Sequence, residues 1–209
     1  KNYDAAKKRI LPEKYYFFAK QQNNAAKYHI ILDIDQSGSM GESVLYASVM
    51  SSILASLHTV KTNVVAFTTE VVDLSDKTED PVELLFGFQL GGGTDINNSV
   101  KYCEKLIEEP KKTLFFLITD LMEGGNRAAL MRRLAAMKEA GVRVIVLLAI
   151  ADGGAPYYDE HNAKHIASLG IPCFACSPER LPELLETALK GGEMRQFEGD
   201  ARQAKKSVL

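Results

Sequence analysis

The chain lacks any long uninterrupted hydrophobic run. Hydrophobic residues make up 46% of its 209 positions. No apolar stretch reaches the roughly 18 residues that a membrane-spanning helix needs, and the N-terminus shows no signal-peptide pattern. We therefore expect no membrane partner. The chain begins with Lys1 rather than Met, so we expect it to be a piece of a longer protein.

The chain also has few cysteines and a small net charge. Three cysteines are too few for a disulfide scaffold and are typical of a reducing cytosol, so we expect a cytoplasmic protein. The formal net charge is −2, whereas nucleic-acid-binding domains usually carry a strongly basic face, and we expect no nucleic-acid partner. The phosphate-binding pattern G-x-x-x-x-G-K-[ST] is missing, so any nucleotide hydrolysis would belong to a partner.

The chain does contain an alternation of strand-like and helix-like segments. Apolar runs rich in β-branched residues predict strands covered on both faces, at 28–34, 63–69, 113–119, 142–150 and 171–176. The run at 71–76 follows its predecessor too closely for a crossover helix, so it predicts an antiparallel edge strand. Apolar stripes with helical spacing predict helices at 42–58, 81–86, 95–109, 126–140, 160–169 and 178–190.

This alternation predicts an α/β fold. We expect a Rossmann-like three-layer sandwich whose six-stranded sheet is mostly parallel, with one antiparallel edge strand. Residues 28–190 would form this domain. Residues 1–27 would be an N-terminal helical extension, and residues 191–209 a polar C-terminal tail.

Polar residues gather where three predicted strands end. Asp35, Ser37 and Ser39 follow the first strand, Thr94 lies in a glycine-rich loop, and Asp120 follows the strand at 113–119. In an open parallel sheet, ligands bind beyond the carboxyl ends of the strands. Two carboxylates and three hydroxyls are hard oxygen donors, which suit Mg²⁺ or Mn²⁺. The sequence therefore predicts one divalent-metal site built from these five residues.

The same residues resemble a known family. The stretch "DQSGS" (35–39) is similar to the Asp-x-Ser-x-Ser motif of von Willebrand factor type A (VWA) domains. Thr94 in "GGGTD" and Asp120 in "LITD" match the distant Thr and Asp that complete that family's metal-ion-dependent adhesion site. The stretches "IDQSGSM", "LITDLMEGG", "DPVELLFG" and "FACSPE" narrow the resemblance to bacterial CoxE-like VWA proteins, which are commonly associated with MoxR-type AAA+ ATPases.

The resemblance implies a fold and a function. It implies the VWA fold over about residues 28–190, with Mg²⁺ or Mn²⁺ held by the five residues named above. A vacant coordination position on the metal would accept a Glu or Asp side chain from a protein partner. The partner would be a MoxR-type AAA+ ATPase or a client of one. The resemblance thus implies an interaction domain and not an enzyme.

An enzyme is the alternative interpretation. The stretch "DID" (33–35) also resembles the Asp-x-Asp motif of Mg²⁺-dependent haloacid-dehalogenase-like phosphatases. Asp33 would then be the nucleophile and Asp35 the general acid, with Thr68 or Thr69 binding phosphate. Two features count against it: Asp33 lies inside the apolar run, and no lysine followed by paired acids occurs at the later strand ends.

A zinc site is a further alternative. His161, His165, Cys173 and Cys176 have spacings like those of zinc ligands. However, residues 173 and 176 point to opposite faces of a strand, so we expect structural cysteines.

Three acidic residues near the predicted site have simpler interpretations. Asp95 sits where a helix N-cap is expected. We expect Asp33 to be a buried, hydrogen-bonded acid and Glu123 to stabilise its loop.

Overall fold

The structure, a computed structural model, describes residues 3–4, 9–10, 28–43, 47, 61–75, 92–150, 157–177 and 180–197. Its strands are β1 Tyr3–Asp4, β2 Arg9–Ile10, β3 His29–Asp35, β4 Lys61–Phe67, β5 Val71–Asp73, β6 Thr113–Thr119, β7 Arg143–Leu148 and β8 Cys173–Phe174. Its α-helices are α1 Ile96–Cys103, α2 Arg127–Glu139, α3 Glu160–Ser168 and α4 Leu181–Leu189. Short 3₁₀ helices occur at Gly38–Ser43, Glu104–Leu106, Pro110–Lys112 and Arg195–Phe197.

The six-stranded sheet has the predicted architecture. Its strand order is β5-β4-β3-β6-β7-β8. Every neighbouring pair is parallel except β4 and β5, which are antiparallel. The predicted edge strand is therefore confirmed. Helices flank the sheet, and none of the helices in the described part of the chain is long and apolar enough to cross a membrane.

The central strands are covered on both faces, as their continuous apolar runs predict. Every residue of β3 and β6 is buried. Alternate residues of β3 enter different hydrophobic clusters: Ile30 and Leu32 join one with α4 residues, and Ile31 joins the other with residues of α1 and α2. The two fully buried strands, β3 and β6, are thus the two central strands of the sheet.

The helix caps agree with the sequence, while one helix is shorter than predicted. Asp95 Oδ1 accepts a hydrogen bond from Asn98 N at 2.8 Å, and Asn126 Oδ1 accepts one from Ala129 N at 3.0 Å. The segment predicted at 95–109 is α-helical only to Cys103. Its last turn tightens into the 3₁₀ helix Glu104–Leu106, after which the backbone becomes extended.

Some predictions fall on parts of the chain that the structure does not describe. The predicted helix at 81–86 lies wholly outside the described residues, and the one at 42–58 lies largely outside them. Within residues 1–27 only β1 and β2 are described, and they form an antiparallel pair. The expected helical extension therefore stays a prediction.

Packing continues past residue 190, where we expected the tail to begin. Met194 and Phe197 are buried and join the same hydrophobic cluster as α4. The Phe197 ring stacks on Phe174 with centroids 6.1 Å apart, and the Arg180 guanidinium lies 4.8 Å from the Phe197 centroid. The folded core thus reaches at least to Phe197.

Candidate metal centre

Parallel register brings two of the predicted strand ends together. β3 lies between β4 and β6, and Ile34 pairs with Ile118. The next residue of each strand, Asp35 and Thr119, therefore lies side by side at the carboxyl edge. Asp120 follows directly. The sheet thus places two carboxylates from sequence-distant segments at one point.

Asp35 is the centre of a buried hydrogen-bond cluster. Its Oδ1 accepts a hydrogen bond from Ser37 N at 2.9 Å, and its Oδ2 accepts one from Thr119 Oγ1 at 2.6 Å. The Oγ atoms of Ser37 and Ser39 are 3.1 Å apart. The structure therefore unites the three residues of the first predicted loop, with both oxygens of Asp35 held in fixed directions.

A glycine contact joins this loop to the second one. Gly38 N donates to Gly92 O at 3.0 Å. A Cβ at residue 38 would lie only 3.2 Å from Gly92 O, so the close approach favours glycine there. Thr94 follows in the same loop, and its carbonyl accepts from Gly124 N at 3.1 Å. Among the described residues, however, the Thr94 hydroxyl makes no hydrogen bond to the other four predicted ligands.

Asp120 is completely buried and only half satisfied. Its Oδ1 accepts a hydrogen bond from Met122 N at 2.9 Å. Its Oδ2 is buried and has no hydrogen-bond partner among the residues that the structure describes. Burying a carboxylate oxygen without a partner is costly, and a bound cation is one of the few ways to offset that cost.

Burial changes the acidity of Asp35. Desolvation raises the pKa of its carboxyl to about 6, against the hydrogen bonds from Ser37 and Thr119, which lower the pKa. The negative charge of Asp120 raises the pKa further. The two carboxylates therefore repel each other inside the protein, and a divalent cation between them would relieve that repulsion.

The donor set fits a hard divalent cation. It contains two carboxylates and three hydroxyls, with no sulfur or nitrogen donor. Over the described ranges, no group of three or more His, Cys, Asp or Glu side chains is placed to hold a metal ion. A metal at this site would therefore depend on the serine and threonine oxygens as much as on the two acids.

Asp33 does not have the surroundings of a phosphatase nucleophile. It is completely buried, and its Oδ1 accepts a hydrogen bond from Ser99 Oγ of α1 at 2.5 Å. Burial raises the pKa of its carboxyl to about 8. A nucleophile must reach its substrate, whereas this acid is enclosed between the sheet and α1. The geometry therefore supports the expected buried, hydrogen-bonded acid and does not support the phosphatase alternative.

The residues with zinc-like spacing are not brought together. His161 and His165 lie on the exposed side of α3. Cys176 is buried in the hydrophobic cluster that contains α4, and its Sγ donates to Ser177 O at 3.4 Å. The structural interpretation of Cys176 is therefore the one that the packing supports.

Thr119 and Glu123 have roles that sequence reasoning found only in part. Thr119 was missed, although its position beside Asp35 follows once the β3–β6 register is known. Glu123 was expected to stabilise its loop, and its Oε2 accepts from Ile96 N at 2.7 Å. Together with the contact from Gly124 N to Thr94 O, this bond joins the loops that carry Thr94 and Asp120.

A mostly parallel sheet between helices, with acids and hydroxyls at its carboxyl edge, is the arrangement of a VWA domain. Residues 8–185 match the family of VWA domain containing CoxE-like proteins, and the chain belongs to that family. VWA domains generally mediate metal-dependent protein interactions and are typically not catalytic.

A curated relative resembles most of the chain. The chain is 36% identical over 174 residues to the uncharacterized protein YehP of Escherichia coli K12, which covers 83% of this chain and 46% of that protein. The chain therefore spans less than half the length of the curated relative that it matches.

Solved structures show the same fold. A von Willebrand factor type A protein from Catenulispora acidiphila has a TM-score of 0.57 at 16% identity, covering 78% of this chain and 42% of that one. The manganese-loaded TRAP protein of Plasmodium vivax has a TM-score of 0.52 at 16% identity, covering 69% and 63%. At such low identity these likenesses concern the fold alone.

Proposed function

We propose that this chain is a metal-dependent protein-interaction domain. It binds one Mg²⁺ or Mn²⁺ through Asp35, Ser37, Ser39, Thr94 and Asp120, and does not catalyse a reaction. The observation that carries the proposal is the buried, unpartnered Asp120 Oδ2, whose carboxylate is close enough to Asp35 to raise its pKa. The two carboxylates repel each other, and a bound cation would offset that repulsion.

Neighbouring hydrogen-bond donors orient the two carboxylates that would hold the ion. The hydrogen bonds from Ser37 N and Thr119 Oγ1 orient the Asp35 carboxylate. The bond from Met122 N fixes one Asp120 oxygen and leaves the other available. When bound, the metal supplies a positive charge that attracts a carboxylate. Because only two acids contribute, their charge just balances that of a dication, and an incoming acidic side chain is not repelled.

The surroundings suit a macromolecular partner. Gly38, Gly92 and Gly93 are exposed at the mouth of the site, and Ser39 and Thr94 are half-buried behind them. Among the described residues of these two loops, the glycines offer no side chain that would block the approach of another protein surface. The partner supplies a Glu or Asp to the metal, and the contact surface around it supplies specificity.

The family suggests which partner to test. Similarity to CoxE-like proteins supports a MoxR-type AAA+ ATPase, or a client of that ATPase, in the cytoplasm. The low cysteine count is consistent with a reducing compartment. The Plasmodium vivax protein, which has a similar fold, is manganese-loaded, and this supports a divalent cation as the ligand to test.

The first experiment is calorimetric titration of Mn²⁺ and Mg²⁺ into chelator-stripped protein. We expect binding at a single site. Asp35→Asn preserves the size of the side chain but removes its charge, so affinity should fall by at least about a hundredfold. Glu186→Gln, on the exposed face of α4, is the matched control and should bind like the wild type. Equal affinity in Asp35→Asn, or no binding by the wild type, would contradict the proposed metal site.

The second experiment tests the partner separately. The wild-type chain should recover a MoxR-type ATPase from an extract of its source cells in Mn²⁺ but not in chelator, and Asp35→Asn should not recover it. Recovery that is independent of metal and of Asp35 would contradict capture through the ion. A metal-binding chain that recovers no such ATPase would contradict this choice of partner while leaving the metal site intact.

A further inference from the structure

The N-terminal turn of α3 holds the backbone that follows Asp120. Asp159 N donates to Asp120 O at 2.7 Å. Asn162 Nδ2 donates to Leu121 O at 2.9 Å. Two successive carbonyl groups at the exit of β6 are thus bound by one helix. Because α3 packs on the sheet, these bonds tie the Asp120 turn to a rigid element.

The residue held in this way has an unfavourable backbone conformation. Leu121 has φ of +60°, and among the described residues no other non-glycine has a positive φ. The left-handed region disfavours a leucine because its Cβ approaches the following carbonyl oxygen. Leu121 N donates to Thr119 Oγ1 at 2.9 Å, and its carbonyl receives the bond from Asn162. Hydrogen bonds on both sides therefore compensate for the strained turn.

The turn determines the direction of the Asp120 carboxylate. Because the chain reverses at Leu121, Met122 N points back and donates to Asp120 Oδ1 at 2.9 Å. That bond leaves Asp120 Oδ2 as the free oxygen. If Leu121 relaxed to an ordinary negative φ, Met122 N would leave this position and the carboxylate would lose its orientation.

The buried side chain of Asn162 has an energetic cost that a purely structural residue would not need. Its side chain is completely buried, and its Oδ1 has no hydrogen-bond partner in the part of the chain that is described. An apolar residue of similar size would avoid the cost of that buried oxygen. The asparagine is explained by its donor: Nδ2 donates to Asp159 Oδ2 at 3.2 Å at the start of α3 and, over the shorter distance of 2.9 Å, to Leu121 O in the turn that follows Asp120.

We propose that Asn162 is a positioning residue for the metal site: its amide keeps Leu121 in the left-handed conformation and so orients Asp120 Oδ2 towards the ion. This inference rests on the proposed function, because it concerns the same site. Asn162 itself does not touch the ion. It acts through the Leu121 carbonyl, one residue beyond the ligand.

The direct test is Asn162→Ala, with two readouts. Mn²⁺ affinity, measured by calorimetry, should fall about tenfold or more. In the metal-free protein, the amide hydrogens of Leu121 and Met122 should exchange faster with solvent, because the turn that protects them is less populated. If Asn162→Ala does not fold, Asn162→Ser carries the same readouts, since its shorter hydroxyl does not reach Leu121 O.

A rescue variant separates positioning from general stability. Glycine adopts a positive φ without steric cost, so in Leu121→Gly the turn no longer needs the Asn162 donor. We expect Asn162→Ala to weaken Mn²⁺ binding much less in the Leu121→Gly background than in the wild type. Leu121→Gly also removes a buried side chain and lowers Tm, but the ratio of affinities within each background is unaffected by that loss.

Thr113→Val is the control for lost stability. Thr113 lies at the opposite end of β6, where its buried hydroxyl donates to Glu109 O at 2.9 Å. This variant should lower Tm without changing Mn²⁺ affinity. The inference would be overturned if Asn162→Ala had the Mn²⁺ affinity and the amide exchange rates of the wild type. It would also be overturned if Thr113→Val weakened Mn²⁺ binding as much as Asn162→Ala does. If the wild type binds no Mn²⁺, the proposed function fails, and the exchange of the Leu121 and Met122 amides alone decides whether Asn162 holds the turn.

Discussion

The two ends of the sheet satisfy their backbones in different ways. At the amino end, where α2, α3 and α4 terminate, the positive-φ positions are all glycines: Gly141, Gly170 and Gly191. At the carboxyl end Gly92 has a positive φ, but so does Leu121, which among the described residues is the one non-glycine with a positive φ. Glycine adopts this conformation at little cost, whereas leucine does not. Backbone strain is thus avoided at one end and retained at the other.

The charged groups differ between the two ends, although each end has a buried polar atom without a partner among the described residues, at the amino end His29 Nδ1. At the amino end, Lys138 Nζ donates to Leu169 O at 2.6 Å, and the Arg143 guanidinium donates to Ala188 O and, at 3.3 Å, to Gly192 O. Cations thereby compensate the helix C-termini. At the carboxyl end, Asp120 Oδ2 is buried with no hydrogen-bond partner among the described residues.

The comparison supports the proposed site at the carboxyl end. Strain and unsatisfied polar atoms persist only where surrounding structure enforces them, and they concentrate at functional sites. A cavity of about 680 Å³ lies at the amino end, between the ends of α2, α3 and α4, and none of the five predicted ligands lines it. The candidate site is therefore identified by its chemistry and not by volume.

The largest expected effect tests the buried Asp33 carboxyl, which lies beneath the carboxyl end of the sheet. The pKa of Asp33 is raised to about 8 from its ordinary 3.8, chiefly by burial, while Ser99 and Cys103 lower it and Asp35 raises it further. At pH values between these two pKa values, the Asp33 carboxyl is ionised in the unfolded chain and neutral in the folded protein. The stability contribution of this carboxyl is therefore full below about pH 4 and is lost as pH rises towards 8, by about 1.4 kcal/mol per pH unit.

Asp33→Asn removes this pH dependence. In metal-free protein, the variant should gain stability over the wild type progressively between pH 4 and pH 8, because its amide stays neutral and still accepts the Ser99 hydrogen bond. Urea unfolding at several pH values measures the difference. A difference that does not change with pH would show that the Asp33 carboxyl is not held neutral in the folded protein.

A substitution at the amino end should have a smaller effect and leave the metal site unchanged. Arg143→Ala removes the donors to Ala188 O and Gly192 O. We expect a loss of about 2 kcal/mol in the free energy of unfolding, because two carbonyls at the end of α4 lose charged donors. Mn²⁺ affinity should equal that of the wild type. A large fall in affinity would mean that the two ends are coupled and not independent.

The smallest expected effect compares left-handed positions directly. Gly191 has φ of +77°, and the nearest atoms to a Cβ there belong to the Arg143 guanidinium at 3.9 and 4.0 Å. Gly191→Ala therefore tests the conformational cost of a positive φ with little steric clash. We expect the free energy of unfolding, measured by thermal denaturation, to fall by about 1 kcal/mol. No loss would remove backbone strain as a distinction between Gly191 and Leu121.

The sequence predicts more of the fold than of the site's support. The strand at 113–119 coincides with β6, and Asp95 and Asn126 cap the helices that they were predicted to cap. These features depend on local patterns, namely a continuous apolar run or a polar residue before an apolar stripe. By contrast, Met194 and Phe197 were placed in a polar tail, because their packing depends on Phe174 and Arg180, which are distant in sequence.

The sequence by itself predicted which residues would form the metal site. Asp35, Ser37 and Ser39 share one short motif, and Thr94 and Asp120 stand out as polar residues at predicted strand ends. Only the tertiary structure decided how they are held. Thr119 is 84 residues from Asp35 along the chain, and Asn162 is 41 residues from Leu121. Such contacts follow from strand order and helix packing, which local patterns of hydrophobicity do not encode, because the same patterns are compatible with several orders of the strands.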